Sequence, residues 1–259
     1  MPALDKAYTI LCLHGFLENS TMWDSFHREF EHKYHIITVD LPGHGQSGQL
    51  SDSIEKTAEI VINTFVNPTS APVILMGHSM GGYVALAMIE AGFKAEGLIL
   101  LNSTCLPDSD EKRKSRNRII QIVEQNAMIF IREAIPALFL NREKHESMID
   151  LLISQAGQMS KQGVISSIEA MKCRTGRCNQ IINQPALIIS GKYDSAIDVT
   201  ALQKAIKVQK NMHVEHKILD HCAHMSIFEN PAETFNCIKN FIEITLSGSQ
   251  NKMPNGNFN

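Results

Sequence analysis

Ser79 stands inside Gly77-His78-Ser79-Met80-Gly81, with the apolar run Val73-Ile74-Leu75-Met76 before it and small and apolar residues at helical spacing after it. A strand that turns this sharply into a helix holds its turn residue strained and exposed above the sheet edge, where a nucleophile is useful. The glycines follow from crowding, because a side chain at Gly77 or Gly81 would collide with the neighbouring strand or helix. A serine hydroxyl is a poor nucleophile at neutral pH. It needs an imidazole to take its proton, and the imidazole needs a carboxylate to hold its tautomer. The chemistry of such a set is acyl transfer through a covalent intermediate. Only the neutral imidazole accepts the serine proton, so activity is expected to fall on the acid side.

Two loops offer the partners. Asp194, in Gly191-Lys192-Tyr193-Asp194, is the expected acid, with Asp198 as its competitor. His224, in His221-Cys222-Ala223-His224-Met225, is the expected base, with His221 as the competitor that reads more simply as a loop residue. Each loop follows a strand-like segment, and in an open α/β sheet the carboxyl ends of the strands form one rim where ligands bind.

The elements that must build that rim are legible in order. Tyr8 to Leu13, Tyr34 to Val39, Pro72 to Met76 and Gly97 to Leu101 read as strands, most of them apolar without alternation, as befits a parallel sheet covered on both faces. Between them, Ser20 reads as the cap of a helix carrying Trp23, Phe26 and Phe30, and Asp52 with Glu55 reads as a capping box opening a helix with Ile54, Ala58 and Phe65 on its apolar face. From about Pro107 to Ile182 no strand is evident, and apolar residues fall at helical spacing. The strand and helix alternation resumes with Pro185 to Ser190, Val199 to Val208, His213 to Leu219 and a closing helix from Pro231 to Leu246. The expected organisation is a core of residues 1–106 and 183–246, a helical lid over 107–182 and a disordered tail over 247–259.

Composition narrows the function classes. Hydrophobic content of 44% and a net charge of -3 describe an ordinary globular chain with no electrostatic case for nucleic acid or an anionic membrane surface. The six cysteines are scattered without a C-x-x-C pair, which reads as a reducing cytosol with no disulfide framework and no zinc site. The eleven histidines show no metal-ligand spacing, so neither metal nor cofactor is expected. No signal peptide or apolar span is evident, and a cytoplasmic location is expected. His14 and His78 read as structural residues that hydrogen-bond the loops, His44 as part of a turn and Trp23 as a core anchor. The run Asp110 to Arg116 reads first as a solvated helix start on the lid, with contact to an acidic substrate tail such as a coenzyme A phosphate as the less favoured alternative.

Taken together, His14-Gly15-Phe16, Asp40-Leu41-Pro42-Gly43-His44-Gly45-Gln46-Ser47, the Ser79 turn, Gly191 to Asp194 and Ala223 to Pro231 resemble the α/β-hydrolase superfamily, in its small lid-bearing branch of esterases and thioesterases. The resemblance spans about residues 8 to 103 and 184 to 245. It implies a mostly parallel sheet of about six strands with helices on both faces, and the chain order Ser79, Asp194, His224 agrees with it. It also implies an oxyanion hole made by the backbone N–H groups of Phe16 and Met80, the latter at a helix start whose amides lack internal partners. The implied partner is a small ester or thioester.

Three other activities share these parts. One is a lyase resembling the menaquinone-pathway synthase, one a perhydrolase-like esterase, and one a non-enzymatic small-ligand receptor. Lyases of that kind typically carry an arginine four residues after the nucleophile, where this chain has Tyr83, although Arg132, Arg142 and Arg174 are candidate cations from the lid. The expectation is therefore hydrolysis of neutral, short to medium acyl esters.

Overall fold

The computed structural model describes residues 8–66, 71–208 and 213–250. Six strands, β1 (Thr9–Leu13), β2 (His35–Val39), β3 (Val73–His78), β4 (Gly97–Leu101), β5 (Ala186–Gly191) and β6 (Val214–Leu219), form one sheet in the order β2-β1-β3-β4-β5-β6. Every pairing is parallel. The register sets the site: Leu13 pairs with Gly77, His78 with Leu101, Leu101 with Ile189, and Gly191 with Leu219. Five strand ends are thereby level, and the loops that follow them open on one rim.

Alternate residues of the buried strands feed two cores. Leu11, Leu75, Leu98, Leu100 and Ile188 pack with α2 (Ile54–Val61) and α3 (Met80–Glu90). Ile10, Met76, Ile99 and Ile189 pack with Trp23, Phe26 of α1 (Asp24–Phe30), and Ile238 and Ile242 of the closing helix. A sheet apolar on both faces is stable only when helices cover both, which is what the continuous apolar strands demanded.

The helix starts differ in detail from the sequence reading. Asn19, not Ser20, accepts from the Thr21 amide and opens a short 3-10 turn over Ser20–Trp23 that leads into α1. Ser53, not Asp52, caps α2 by accepting from the Lys56 amide. In both cases the side chain one residue away had the extended backbone that capping requires.

Between β4 and β5 the described chain holds no strand. It folds as α4 (Asp110–Ala134), α5 (Glu146–Ala156) and α6 (Lys161–Cys173), with α4 broken at Asn126, whose backbone leaves the helical region. Val123, Ile131, Leu152, Val164 and Ile168 form a third apolar cluster that also takes in Leu17 and Met225 from the rim. The chain continues through α7 (Val199–Val208) and the single turn α8 (Ser226–Glu229) to α9 (Pro231–Gln250), which runs past the expected end at Leu246; residues 251–259 of the expected tail lie outside the described residues.

One expectation is overturned. Cys105, just after β4, and Cys178, just before β5, are joined by a disulfide across 73 residues. The two are far apart in sequence and neither belongs to a recognisable spacing, so the pairing is visible only once the two ends of the inserted segment meet. The bridge removes the cysteine argument for a reducing compartment. Among the described residues, no helix is long and apolar enough to cross a membrane.

Candidate active site

The turn after β3 is strained as its sequence implied. Ser79 has φ 47 and ψ -112, a backbone that a side-chain-bearing residue rarely adopts. A Cβ at Gly77 would stand 2.4 Å from the Gly81 backbone, and one at Gly81 would stand 2.1 Å from the Leu13 carbonyl oxygen. Both positions must therefore be glycine for the strand and helix to approach. The Ser103 hydroxyl donates to the Ser79 carbonyl at 2.7 Å and braces the turn from β4.

The structure brings Ser79, His224 and Asp194 together. Ser79 Oγ is 2.9 Å from His224 Nε2, and His224 Nδ1 is 2.8 Å from Asp194 Oδ2. Asp194 is held by more than its histidine: the Ala196 and Ile197 amides donate to Oδ1 at 2.9 and 3.0 Å, and Asn102 Nδ2 donates to Oδ2 at 3.2 Å. Burial would raise the Asp194 carboxyl, but His224 beside it and these donors hold it below the usual carboxylate range. It is thus an anion at neutral pH, able to fix the imidazole with Nδ1–H toward it and Nε2 toward the serine. The competitors lie elsewhere. Asp198 caps α7 by accepting from the Ala201 amide, and His221 is exposed.

The loop after β1 supplies Phe16. Neither the Phe16 amide nor the Met80 amide finds an acceptor among the described residues. The loop is fixed by His14, which donates from Nδ1 to the Gly15 carbonyl at 2.7 Å and accepts at Nε2 from the Leu41 amide at 2.9 Å. His44 donates to the Pro42 carbonyl, and burial pushes its pKa down to about 3. Both therefore act as neutral structural groups.

Residues that sequence reasoning passed over complete the frame. Glu18 is buried and accepts from the Gly15 amide and from His78 Nδ1, and Asn102, itself at φ 45, also donates to the Ala223 carbonyl at 2.9 Å. Glu229 accepts from the Ala223 amide with one oxygen and from the Leu140 amide with the other, while the His224 amide donates to the Leu138 carbonyl. The histidine loop is thus hydrogen-bonded directly to the inserted helical segment. A glutamate five residues after the histidine expected to act as base is a faint signal; Glu18 and Asn102 give none.

Ser79 and His224 open on a cavity of about 220 Å³ whose apolar wall includes Phe16, Ile119, Phe130 and Met171. Lys112 and Arg116 also line it, which corrects the reading of their whole run as a solvated helix face. Arg132 and Arg142 are exposed and outside this wall, whereas Arg174 is buried, bonded to Asp108 and stacked 3.9 Å over the Tyr83 ring. Among the described residues no three His, Cys, Asp or Glu side chains converge as metal ligands.

Comparison with known proteins agrees with this architecture. The model of the alpha/beta hydrolase family matches residues 10–236. The monoacylglycerol lipase ABHD6 of Homo sapiens is 26% identical over 94% of this chain and 78% of its own length. The putative esterase/lipase 1 of Mycoplasma genitalium is 24% identical, with 94% of each chain covered. A thermophilic esterase from Thermogutta terrifontis superposes with a TM-score of 0.82 at 23% identity, covering 92% of this chain and 90% of that one, and shares the fold.

Proposed function

Since the chain belongs to the alpha/beta hydrolase family, we propose that it is a serine hydrolase that cleaves carboxylic esters or thioesters through an acyl-enzyme intermediate on Ser79. The observation that carries this reading is the unbroken contact from Ser79 Oγ through His224 to Asp194, at 2.9 and 2.8 Å. The relatives named lipase and esterase support an ester substrate.

In this reading His224 Nε2 takes the Ser79 proton as Oγ attacks the ester carbonyl carbon. The carbonyl oxygen becomes an oxyanion facing the Phe16 and Met80 amides, which have no acceptor among the described residues and so need no reorganisation to receive it. His224 then passes its proton to the leaving alcohol or thiol. In the second half it takes a proton from water, whose oxygen attacks the acyl carbon, and returns that proton to Ser79 Oγ as the acid leaves. Asp194 stabilises the imidazolium at each stage without taking a proton itself. The cavity is small beside the roughly 300–1,000 Å³ of sites for drug-sized ligands, which favours short acyl groups.

Of the three lid arginines that would serve the lyase alternative, Arg132 and Arg142 are exposed and Arg174 is engaged by Asp108. A panel of acyl esters and acyl thioesters of graded length, assayed with wild type and Ser79→Ala, tests the reading. Turnover of short esters by wild type alone supports it, and no turnover of any member by wild type refutes it.

A further inference from the structure

Lys112 and Arg116 lie four residues apart on α4 and so share one face. That face is turned to the cavity that also exposes Ser79 and His224. Arg116 has only 11% of its side chain exposed, and its Nε donates to Asp108. The Asp108 carboxylate is fully buried and receives Arg174 Nη1 as well, at 2.6 Å. Lys112 donates one of its three ammonium hydrogens to the Ala196 carbonyl. Three cations therefore gather about the Asp108 carboxylate, and Asp194, hydrogen-bonded to the neutral His224, is the other carboxylate whose charge acts on Lys112.

Set against Asp108 and Asp194, the three cations leave one positive charge at this wall without a counter-charge, which a largely desolvated site tolerates poorly. Burial and the neighbouring Arg116 hold the Lys112 ammonium below the usual lysine range, as an uncompensated cluster requires. Among the described residues neither Nη1 nor Nη2 of Arg116 has a partner, so the open fork of the guanidinium is free to bind. Asp108 fixes the guanidinium from behind, so an anion binding its front would meet a positioned group.

We propose that Lys112 and Arg116 are the anion-recognising wall of this cavity, and that the substrate is an ester carrying a carboxylate of its own. The simplest such molecule is the half-ester of a short dicarboxylic acid. This replaces the expectation of a purely neutral ester. It rests on the hydrolase reading for its kinetics, but not for its binding.

The test compares monomethyl glutarate with methyl glutaramate, its neutral isostere of nearly the same shape. Turnover is measured with wild type, and binding with Ser79→Ala. The expected result is a preference for the charged ester of about tenfold or more in kcat/KM, expressed through KM, and a matching difference in affinity. Arg116→Gln and Lys112→Met should each shrink that preference, and Arg116→Lys, which keeps the charge should the glutamine variant fold poorly, should retain part of it. Equal kcat/KM for the two esters, or a preference untouched in Arg116→Gln and Lys112→Met, overturns the proposal. If wild type turns over neither ester, binding decides: Arg116-dependent binding of the charged ester to Ser79→Ala upholds the anion wall while the hydrolase reading falls, and its absence overturns the wall as well.

Discussion

The buried Glu18 carboxylate and the His78 ring, sixty positions apart in the chain, meet at 2.9 Å directly beneath the proposed site. The same Glu18 oxygen accepts from the Gly15 amide at 2.5 Å, and the other His78 nitrogen donates to the His224 carbonyl at 3.0 Å. Both His78 nitrogens therefore face acceptors, which suits the imidazolium. One ion pair links the loop bearing Phe16, the strand that delivers Ser79 and the loop that delivers His224.

This pair makes stability depend on pH in a definite direction. Burial disfavours charge on both groups, yet Glu18 holds the His78 pKa above its ordinary value of 6.5, and His78 holds Glu18 below its ordinary 4.5. The histidine contribution is complete below 6.5 and is lost as pH rises through its raised folded value; the glutamate contribution is complete above 4.5 and is lost as pH falls through its lowered folded value. The Tm gap between wild type and Glu18→Gln should thus be widest between those two values and narrow as pH is raised beyond them. A gap that stays constant into alkaline solution would contradict a charged pair.

Asp194→Asn should lower kcat by about three to four decades, because a neutral amide neither stabilises the imidazolium nor holds the required tautomer. Asp198→Asn should lose only the α7 cap, costing roughly 1 kcal/mol of stability. Steady-state kinetics and thermal melts on the two variants separate the acid from its competitor. A larger rate loss in Asp198→Asn would reverse the assignment.

Replacing Cys105 or Cys178 by serine should destabilise the fold by about 4 kcal/mol in the chain-entropy account, given the 73 residues the bridge spans. The bridge ties together the two ends of the inserted segment, which the Arg177 amide also fastens by donating to the Cys105 carbonyl at 2.7 Å. Urea denaturation of the two variants and of reduced wild type should give the same lowered midpoint. An unchanged midpoint on reduction would show that the two sulfurs are not joined.

Deleting residues 107–182 should give a chain that aggregates. The deletion uncovers Leu17 and Met225, now buried against the third apolar cluster, and strips the His224 loop of its bonds to Leu138 and Leu140. Light scattering and ester turnover report the outcome. A monomeric, active truncated chain would mean that the segment neither covers the site nor supports it.

What the sequence made legible was what short-range sterics and periodicity encode. Gly77 and Gly81 betray the turn because no other residue fits their 2.4 and 2.1 Å approaches, and the apolar strands betray a sheet covered on both faces. Ser79, Asp194 and His224 were found because each follows a strand end. Glu18 was not, since a turn glutamate is ordinary until its partner arrives from position 78. Cys105 and Cys178 were missed for the same reason. The run holding Lys112 and Arg116 offers both a solvated helix start and a contact for an acidic substrate tail, and the first is favoured until the neighbouring Asp108 is known to be buried beneath it. The capping residues slipped by one position, because Ser53 and Asp52, or Asn19 and Ser20, are interchangeable as caps until the backbone is fixed.

The central claim is that Ser79 Oγ forms the covalent bond to the acyl group. It is tested most directly by treating the protein with a fluorophosphonate and locating the adduct by peptide mass spectrometry. The account predicts a single adduct on the peptide containing Ser79, loss of ester turnover in step with its formation, and neither labelling nor turnover in Ser79→Ala. An adduct on any other residue that accounts for the lost activity, or undiminished turnover in Ser79→Ala, would contradict it.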